Sequence, residues 1–163
     1  MIKIKYNPEA DTRTMKELPS KEALKSASLS HIGDVSTCIQ FIINNLVKAI
    51  NNHDRDKIED IDGFYRDVKE TLINHKDFTS LPWYTNHKKE NHHRIDSDVL
   101  WVRMTIEDVI ENLIDKMTAT AARQGHLTDK DIISIIDGVN PNIFKLALYN
   151  TLTNLKEEIE IEH

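Results

Sequence analysis

The sequence predicts an all-α fold, a single-domain helical bundle. Apolar residues recur at spacings of 3, 4 and 7 over long stretches, which is typical of helices with one apolar face. Glycine and proline, the residues that most often interrupt helices, number only four each. The 163 residues include 39% hydrophobic and 29% charged residues, enough for one core and a charged surface. A globular chain is therefore expected, rather than a disordered one.

The N-terminal half is expected to contain an arm and three helices. Residues 1–19 read as an extended arm with a short strand at 2–6, and the helical metal-binding domain is predicted over 20–163. A short helix is predicted from Ser20 to about residue 27, because serine is a favoured N-cap. The next helix has the clearest periodicity, and its apolar residues are predicted to form one buried stripe: Ile32, Val35, Ile39, Ile42, Ile43, Leu46, Val47 and Ile50.

A third helix is predicted over roughly 60–73, followed by a long connection at 76–103. The helix has apolar residues at the helical spacing, namely Ile61, Phe64, Val68 and Leu72. The connection contains Pro82, Trp83 and Trp101. Connections of this length inside a compact domain are uncommon and usually functional. We therefore expect functional residues in this segment.

The C-terminal third is predicted to hold three helices, at 104–123, 130–136 and 142–156. Thr105 followed by Asp108 approximates a capping box at the start of the first. The sequence "NPN" at 140–142 separates the other two, since proline interrupts helices. The last helix is amphipathic and can pack within the monomer or between chains. A second copy of the chain is therefore among the expected partners, as an alternative to a monomer.

Composition excludes several classes of protein. The net charge of −6 and the pI near 5.7 argue against an extended nucleic-acid surface, although a local basic pocket for one nucleotide is compatible with them. Cys38 is the single cysteine, so an intrachain disulfide and a thiolate metal cage are excluded. No apolar run is long enough to span a membrane, and the N-terminus lacks a signal-peptide pattern. A cytoplasmic protein without membrane contact is expected.

Two histidines and an aspartate lie on or near the apolar stripe predicted for the second helix. His53 and Asp54 follow Ile50 by three and four residues, so both are expected to point toward the interior or its rim. His31 lies near the edge of the same stripe. A buried carboxylate is costly unless it is hydrogen-bonded, paired or bound to a metal. The ordinary alternative is a His–Asp hydrogen bond near a helix end.

The segment "NHKKENHH" strengthens the metal interpretation. It adds His87, His92 and His93, and the nearby Trp83 can anchor the segment to the core. Imidazole nitrogen and carboxylate oxygen together suit zinc, manganese, iron or nickel. The alternative is a polar surface loop whose histidines are incidental.

An acidic ridge on the 104–123 helix offers further ligands. Asp108, Glu111 and Asp115 are spaced by three and four, opposite the stripe predicted to be buried, which runs Ile106, Val109, Ile110, Leu113, Ile114, Met117 and Ala121. Like charges at this spacing repel by a few tenths of a kcal/mol per pair, roughly, and a bound cation removes that repulsion. The alternative is a solvated acidic face. If Asp115 is a ligand, both sides of this helix must be covered.

The order of these residues resembles the HD-domain phosphohydrolase superfamily. Its all-α members hold divalent metals with an early His, an adjacent His-Asp pair, intervening histidines and a late helical Asp. "HDRDK" is similar to their "HD-x-G-K", with Asp56 in place of the glycine, and "ENLIDKMTATAAR" is similar to the segment of their final Asp. The resemblance implies Mn, Fe, Co, Ni or Zn, with Mg as a further candidate. The implied metal ligands are His31, His53, Asp54, His87, His92, His93 and Asp115.

A second resemblance covers most of the chain. The motifs "DTRT", "HIGDV", "LPWY..H...NHH", "DVIENLID" and "AAR.G" are similar to an uncharacterised phage and prophage family of small hypothetical proteins. The sequence "RIDSD" after the double histidine departs from that family, which has an apolar residue there. The resemblance implies a phage or prophage origin, hence the host cytoplasm, and no particular activity.

Three functions are compatible with the sequence. The leading hypothesis is a metal-dependent phosphohydrolase acting on a small phosphorylated substrate such as a nucleotide. Its assisting residues are Lys57 for phosphoryl charge, Glu111 or Asp108 as general base, and Arg94, Lys88 and Lys89 as phosphate contacts. One alternative is a non-enzymatic phage accessory protein, for example an inhibitor that binds a host defence enzyme. The other is an all-α nucleotide pyrophosphohydrolase that binds Mg at the Asp108, Glu111 and Asp115 ridge.

Overall fold

The protein is mostly helical, as the sequence predicts. A computed structural model describes residues 1–7, 17–94 and 103–162. Two four-residue strands, β1 (Ile2–Lys5) and β2 (Ile159–Glu162), flank the helices in the chain. The helices are α1 (Lys21–Asn52), α2 (Arg55–Glu59), α3 (Ile61–Asn74), α4 (Pro82–His87), α5 (Ile106–Gln124), α6 (Asp129–Asp137) and α7 (Pro141–Glu158). None of these helices combines the length and the apolar character that crossing a bilayer would require.

The described chain divides into two compact units. One unit combines Met1–Asn45 with Leu152–His163, and the other is Leu46–Thr151. The boundaries fall within α1 and α7, so each of these helices contributes to both units. The division predicted from the sequence, an arm over 1–19 and one domain over 20–163, stays a prediction.

The unit that contains both chain ends is built on a small parallel sheet. β1 pairs with β2 in a parallel register, with Ile2 opposite Ile159 and Lys5 opposite Glu162. The strand expected at 2–6 is therefore present, whereas β2 was missed because the sequence after residue 156 alternates over only four residues. Among the described residues of this unit, the buried apolar side chains are Ile2, Ala27 and Leu155.

Two predictions for α1 are wrong. One continuous helix replaces the two predicted helices, because residues 28–31 contain no glycine or proline that would interrupt it. The predicted buried stripe is largely exposed, with Ile32 61%, Ile39 51% and Ile50 69% exposed. Periodicity places apolar residues on one face of a helix, but it does not establish that another element covers that face.

The connection after α3 contains short helices where the sequence predicts a loop. A 3-10 turn at Phe78–Ser80, α4 and a second 3-10 turn at Asn91–Arg94 follow one another. Pro82 occupies the first turn of α4, where a missing N–H is not needed. Positions 95–102, including Trp101, lie outside the described residues, and so do positions 8–16 of the predicted arm.

The core of the Leu46–Thr151 unit lies where α5 meets α7. Met104, Val109, Ile143 and Ala147 form its buried cluster. The Thr105–Asp108 capping box predicted at the start of α5 is confirmed. Polar bonds fix the same junction, since the backbone N–H of Ile106 donates to the Thr151 hydroxyl over 2.8 Å. This packing sets the direction of α5 and of the carboxylates further along it.

Candidate metal centre

A turn at the His53-Asp54 pair separates two helices. α1 ends at Asn52, and Asp54 takes the left-handed conformation with φ 52° before α2 begins. A non-glycine residue costs roughly 1 kcal/mol or more there, although aspartate tolerates it better than most. Strained backbone of this kind concentrates at functional sites. The turn brings the carboxylate of Asp54 beside His53, with 3.4 Å between Oδ2 and Nε2.

α5 brings two carboxylates to the same imidazole. Oε1 of Glu111 lies 2.9 Å from Nδ1 of His53, and Oδ1 of Asp115 lies 3.6 Å from its Nε2. The side chains of Glu111 and Asp115 are only 11% and 31% exposed. The acidic side of α5 is therefore largely covered, as a ligand role for Asp115 requires. The apolar stripe predicted to be buried is only partly covered, because Ile114 is 52% and Met117 36% exposed.

The connecting segment supplies three more imidazoles. Nε2 of His87 lies 3.5 Å from Oδ1 of Asp54, and Nε2 of His93 lies 3.9 Å from the same oxygen. Nδ1 of His92 lies 3.5 Å from Oε1 of Glu111. The His93 ring sits between its neighbours, with ring centroids 4.0 Å from His92 and 4.2 Å from His87. Asp54 is thus the residue around which the other ligand candidates gather.

Asp67 positions α4 and hence His87. This carboxylate of α3 is 1% exposed, and its Oδ2 accepts hydrogen bonds from the backbone N–H groups of Trp83 at 2.8 Å and Tyr84 at 3.4 Å. A carboxylate at that place satisfies free N–H groups in the first turn of α4 and complements its dipole. The Trp83 ring then stacks on His87, with 4.9 Å between centroids and 16° between planes.

Asn112 secures the second 3-10 turn to α5. Its side chain is buried, and its Nδ2 donates to the backbone oxygen of His92. The histidines at 92 and 93 are thereby attached to the same helix that carries Glu111 and Asp115. Buried hydrogen bonds of this kind orient ligands and limit their motion.

Four overlapping groups of side chains have the composition and closeness of metal ligands. In each group the ligating atoms lie within 4.8 Å of one another. Asp54 belongs to three groups, and His53 and His92 each belong to two. The groups are His53, His92 and Glu111; Asp54, His92 and His93; His53, Asp54 and Asp115; and Asp54, Asp56 and His87. We call these eight residues the His–carboxylate cluster.

Several ligating atoms of the cluster are buried without a hydrogen-bond partner. They are Oδ1 of Asp54, Oδ1 of Asp56, Nε2 of His92 and Nε2 of His93. Leaving a buried polar atom unsatisfied costs about 1 to 3 kcal/mol, and more for a charged group. Because four such atoms occur in one cluster, the arrangement suits a cation that would satisfy them.

The cluster sets the protonation of its members. Burial raises the pKa of Asp54, but the hydrogen bond and charge of Lys57, with His53 and His87 nearby, bring it below the ordinary value. Burial, together with neighbouring His92 and His87, lowers the pKa of His93 to about 3. An ionised carboxylate beside a neutral imidazole is the protonation state that metal ligation needs.

Two residues predicted to act at the site do not join the cluster. His31 is exposed on α1, about six helical turns before His53, because α1 runs unbroken past it. Among the described residues, no candidate ligand group contains it. Asp108 is engaged in the α5 cap, where Oδ2 accepts from the backbone N–H of Thr105 at 2.7 Å. Burial, opposed by the Thr105 hydrogen bonds, raises the pKa of Asp108.

The four predicted basic residues lie around the cluster. Lys57 is half-buried and forms an ion pair with Asp54. Lys88 lies over the Tyr84 ring, 5.9 Å from its centroid, and Lys89 donates to Oδ1 of Asn86 over 2.8 Å. Arg94 donates through Nε to the backbone oxygen of Lys88 at 3.4 Å. Of these four residues, Lys57 is the one with an ion pair to a cluster residue.

Sequence reasoning missed Asp56, Asp67 and Asn112. Asp56 replaces a glycine of the "HD-x-G-K" pattern, and its Oδ2 lies 2.8 Å from Nδ1 of His87. That departure from the pattern was itself a signal of a further acidic group. Asp67 borders the apolar face of α3, where an acidic residue is unexpected. Asn112 gave no signal, because its partner is a backbone oxygen in a segment predicted to be a loop.

The fold and the cluster define a helical protein with a site of metal-ligand composition. Comparison with protein-family models, with curated proteins and with solved structures gives no match. Function is therefore argued from the geometry of the cluster.

Proposed function

We propose that the chain is a metal-dependent phosphohydrolase of HD-domain type that acts on a nucleotide or a similar phosphate ester. The observation that carries this proposal is the set of buried, unsatisfied ligating atoms on Asp54, Asp56, His92 and His93. The HD-domain resemblance supplies the reaction class, and it stays an analogy. We also expect the activity in the cytoplasm, the host's if the chain is phage-encoded.

The donor set fits a divalent transition metal. Four imidazoles and four carboxylates face one another within the cluster, and no thiolate takes part. Mixed nitrogen and oxygen donors favour Mn, Fe, Co, Ni or Zn over Mg, because Mg prefers oxygen donors alone. Asp54 belongs to three of the candidate groups and would be a ligand in each of them. When bound, a divalent metal supplies an acidified water and polarises a phosphoryl oxygen.

Residues of the chain itself are proposed to stabilise phosphoryl charge, to act as a general base and to contact phosphate. Lys57 is near enough to place its charge against phosphoryl oxygens, at the cost of its ion pair with Asp54. Glu111 is the proposed general base, because its carboxylate contacts His53 and lies on the covered face of α5. Arg94, Lys88 and Lys89 remain candidate phosphate contacts at the rim.

The pyrophosphohydrolase alternative is less well supported. It requires Asp108, Glu111 and Asp115 to share a magnesium ion. Asp108 instead completes the α5 capping box, and among the described residues no candidate ligand group includes it. The histidines also occupy the central positions of the cluster, which suits a transition metal better than magnesium.

A phosphate-release screen tests the proposal. Wild-type protein loaded with manganese, cobalt or nickel is expected to release phosphate from at least one nucleotide or phosphate ester. Asp54→Asn should abolish the release, whereas Asp131→Asn, at the exposed cap of α6, should retain it. Release that survives Asp54→Asn, or no release from any substrate in metal-loaded protein, would contradict the proposal.

A non-enzymatic accessory role is the second candidate. It is favoured by the exposed apolar face of α1, where Ile32, Val35 and Ile39 are 61%, 44% and 51% exposed. Large exposed apolar patches commonly mark sites of protein association. Under this candidate the metal cluster is structural, and the protein should bind a host protein with unchanged affinity after Asp54→Asn, provided that it stays folded.

A further inference from the structure

A cavity of about 380 Å³ opens beside the His–carboxylate cluster, within the Leu46–Thr151 unit. α3, α4 and the 3-10 turn between them form its walls. The rings of Phe64 and Trp83 contact each other with 4.4 Å between centroids, and those of Phe78 and Tyr84 with 4.8 Å. These four aromatic side chains dominate the lining of the cavity.

The cavity leads directly to the proposed metal ligands. Its lining includes Lys57 and His87. His87 stacks on Trp83 on one side and approaches Asp54 on the other. Lys57 pairs with the same aspartate. An aromatic region and a charged region thus share one opening, which matches a ligand that is flat and apolar at one end and anionic at the other.

We propose that this cavity binds the nucleobase of the substrate, which makes a nucleoside phosphate the substrate class. The inference rests on the proposed hydrolase function. The volume lies within the range of about 300–1,000 Å³ that small-molecule sites occupy. Phe78 and Tyr84 are half-buried and line the cavity. Trp83, in contrast, is 5% exposed and packs against Phe64 and His87. Aromatic side chains such as Phe78 and Tyr84 bind bases by stacking, which tolerates any base because every base has a π-face.

The lining also sets the expected selectivity. Thr71, the hydroxyl-bearing residue of α3 in the lining, donates its hydroxyl to the backbone oxygen of Asp67 over 3.0 Å. That donor is therefore engaged within the helix. Base discrimination requires hydrogen bonds to base edges, and the Tyr84 hydroxyl and the Lys57 ammonium are groups of the lining that can supply them.

Two measurements on the full chain separate this inference from the hydrolase proposal. In metal-loaded protein, kcat/KM for adenosine 5′-monophosphate should exceed that for ribose 5-phosphate at least tenfold, with the difference mainly in KM. Phe78→Ala and the milder Phe78→Leu should reduce that ratio toward one. Tyr65→Ala, a control on the exposed face of α3, should preserve it.

The second measurement is binding of adenosine, which carries no phosphate. A Trp101→Phe background leaves Trp83 as the sole tryptophan, and its fluorescence should change saturably with adenosine. A saturable change without any hydrolysis would overturn the hydrolase while supporting the cavity. Equal KM values for the two phosphates without an adenosine response would overturn the nucleobase inference while leaving hydrolysis intact. An alkyl phosphate that matches the nucleotide in KM would also overturn it.

Discussion

Two acidic regions of the Leu46–Thr151 unit differ in how the protein satisfies them. In the first turn of α5, Glu107 accepts a hydrogen bond from the Thr151 hydroxyl at 3.1 Å, and Asp108 accepts from Thr105. In the His–carboxylate cluster, Oδ1 of Asp54 and Oδ1 of Asp56 have no hydrogen-bond partner. Both regions are substantially buried, so burial alone does not distinguish them.

The difference separates the carboxylates at the start of α5 from the candidate ligands. A carboxylate whose partners come from the chain stabilises the fold by itself. A buried carboxylate oxygen left without a partner is costly until something else binds it, and Oδ1 of Asp67 is such an oxygen outside the cluster. The first turn of α5 is therefore expected to be insensitive to metal, and the cluster to depend on it.

Among the histidines, the largest effect is expected for His92, which belongs to two of the candidate ligand groups and is 4% exposed. His92→Ala should weaken metal binding by more than the roughly 10–100-fold that losing a supporting partner costs. Equilibrium dialysis against manganese or zinc measures it. His126→Ala, at an exposed histidine outside the cluster, is the matched control and should bind metal like wild type. Equal affinity in both variants would remove His92 from the site.

Asp67→Ala tests whether Asp67 positions His87 through its hydrogen bonds to α4. It leaves the buried N–H of Trp83 without an acceptor, so the free energy of unfolding should fall by about 2 to 3 kcal/mol. Metal affinity should fall as well, by roughly 10-fold or more, because α4 then holds His87 less firmly. Urea denaturation and dialysis measure the two effects. Lost stability with unchanged affinity would show that Asp67 serves the fold alone.

The metal-free protein should lose stability in acid because of His93. Its pKa is about 3 in the folded protein and 6.5 when unperturbed, so between these values the unfolded chain binds the extra proton. The free energy of unfolding therefore falls as pH falls through this interval, by up to about 1.4 kcal/mol per pH unit.

Urea denaturation in chelator at pH 7, 6 and 5 measures this slope. His93→Gln should flatten it, since glutamine does not titrate, and His126→Gln should keep it. His92, His87, Asp54 and Lys57 are the charged or titratable neighbours that act on His93. The same slope in His93→Gln as in wild type would contradict the assignment.

The smallest effect is expected at the cap of α6, which the chain satisfies by itself. The Thr128 hydroxyl accepts from the backbone N–H of Asp131 at 3.3 Å in a capping box. Thr128→Ala should cost about 1 kcal/mol of stability. Metal content should not change, and a decrease would show that the cap of α6 is coupled to the His–carboxylate cluster.

The sequence predicts much of the cluster because the ligand types and the acidic ridge of α5 are local properties. The position of Asp115 on α5 follows from counting residues along a helix. For His53 and Asp54 the phase argument is wrong, because α1 ends at Asn52 and Ile50 is 69% exposed, so a turn places these two residues. The structure brings them and Asp115 to one place, together with the three histidines of the connection. The α5 capping box is equally local, since four consecutive residues form it.

What the sequence does not predict depends on contacts between distant segments. Asp67 caps a helix that begins fifteen residues later, and Asn112 binds a backbone oxygen twenty residues earlier. His31 lies on α1 about six helical turns before His53, and among the described residues no candidate ligand group contains it. The exposed face of α1 has the periodicity of a buried one, and periodicity does not reveal which element covers it.

The metal content of protein purified without added metal tests the central claim most directly. Inductively coupled plasma mass spectrometry should find at least one equivalent of a transition metal per chain. The Asp54→Asn variant should lack this metal. Wild-type protein that carries no transition metal, and binds neither manganese nor zinc on dialysis, would contradict the account.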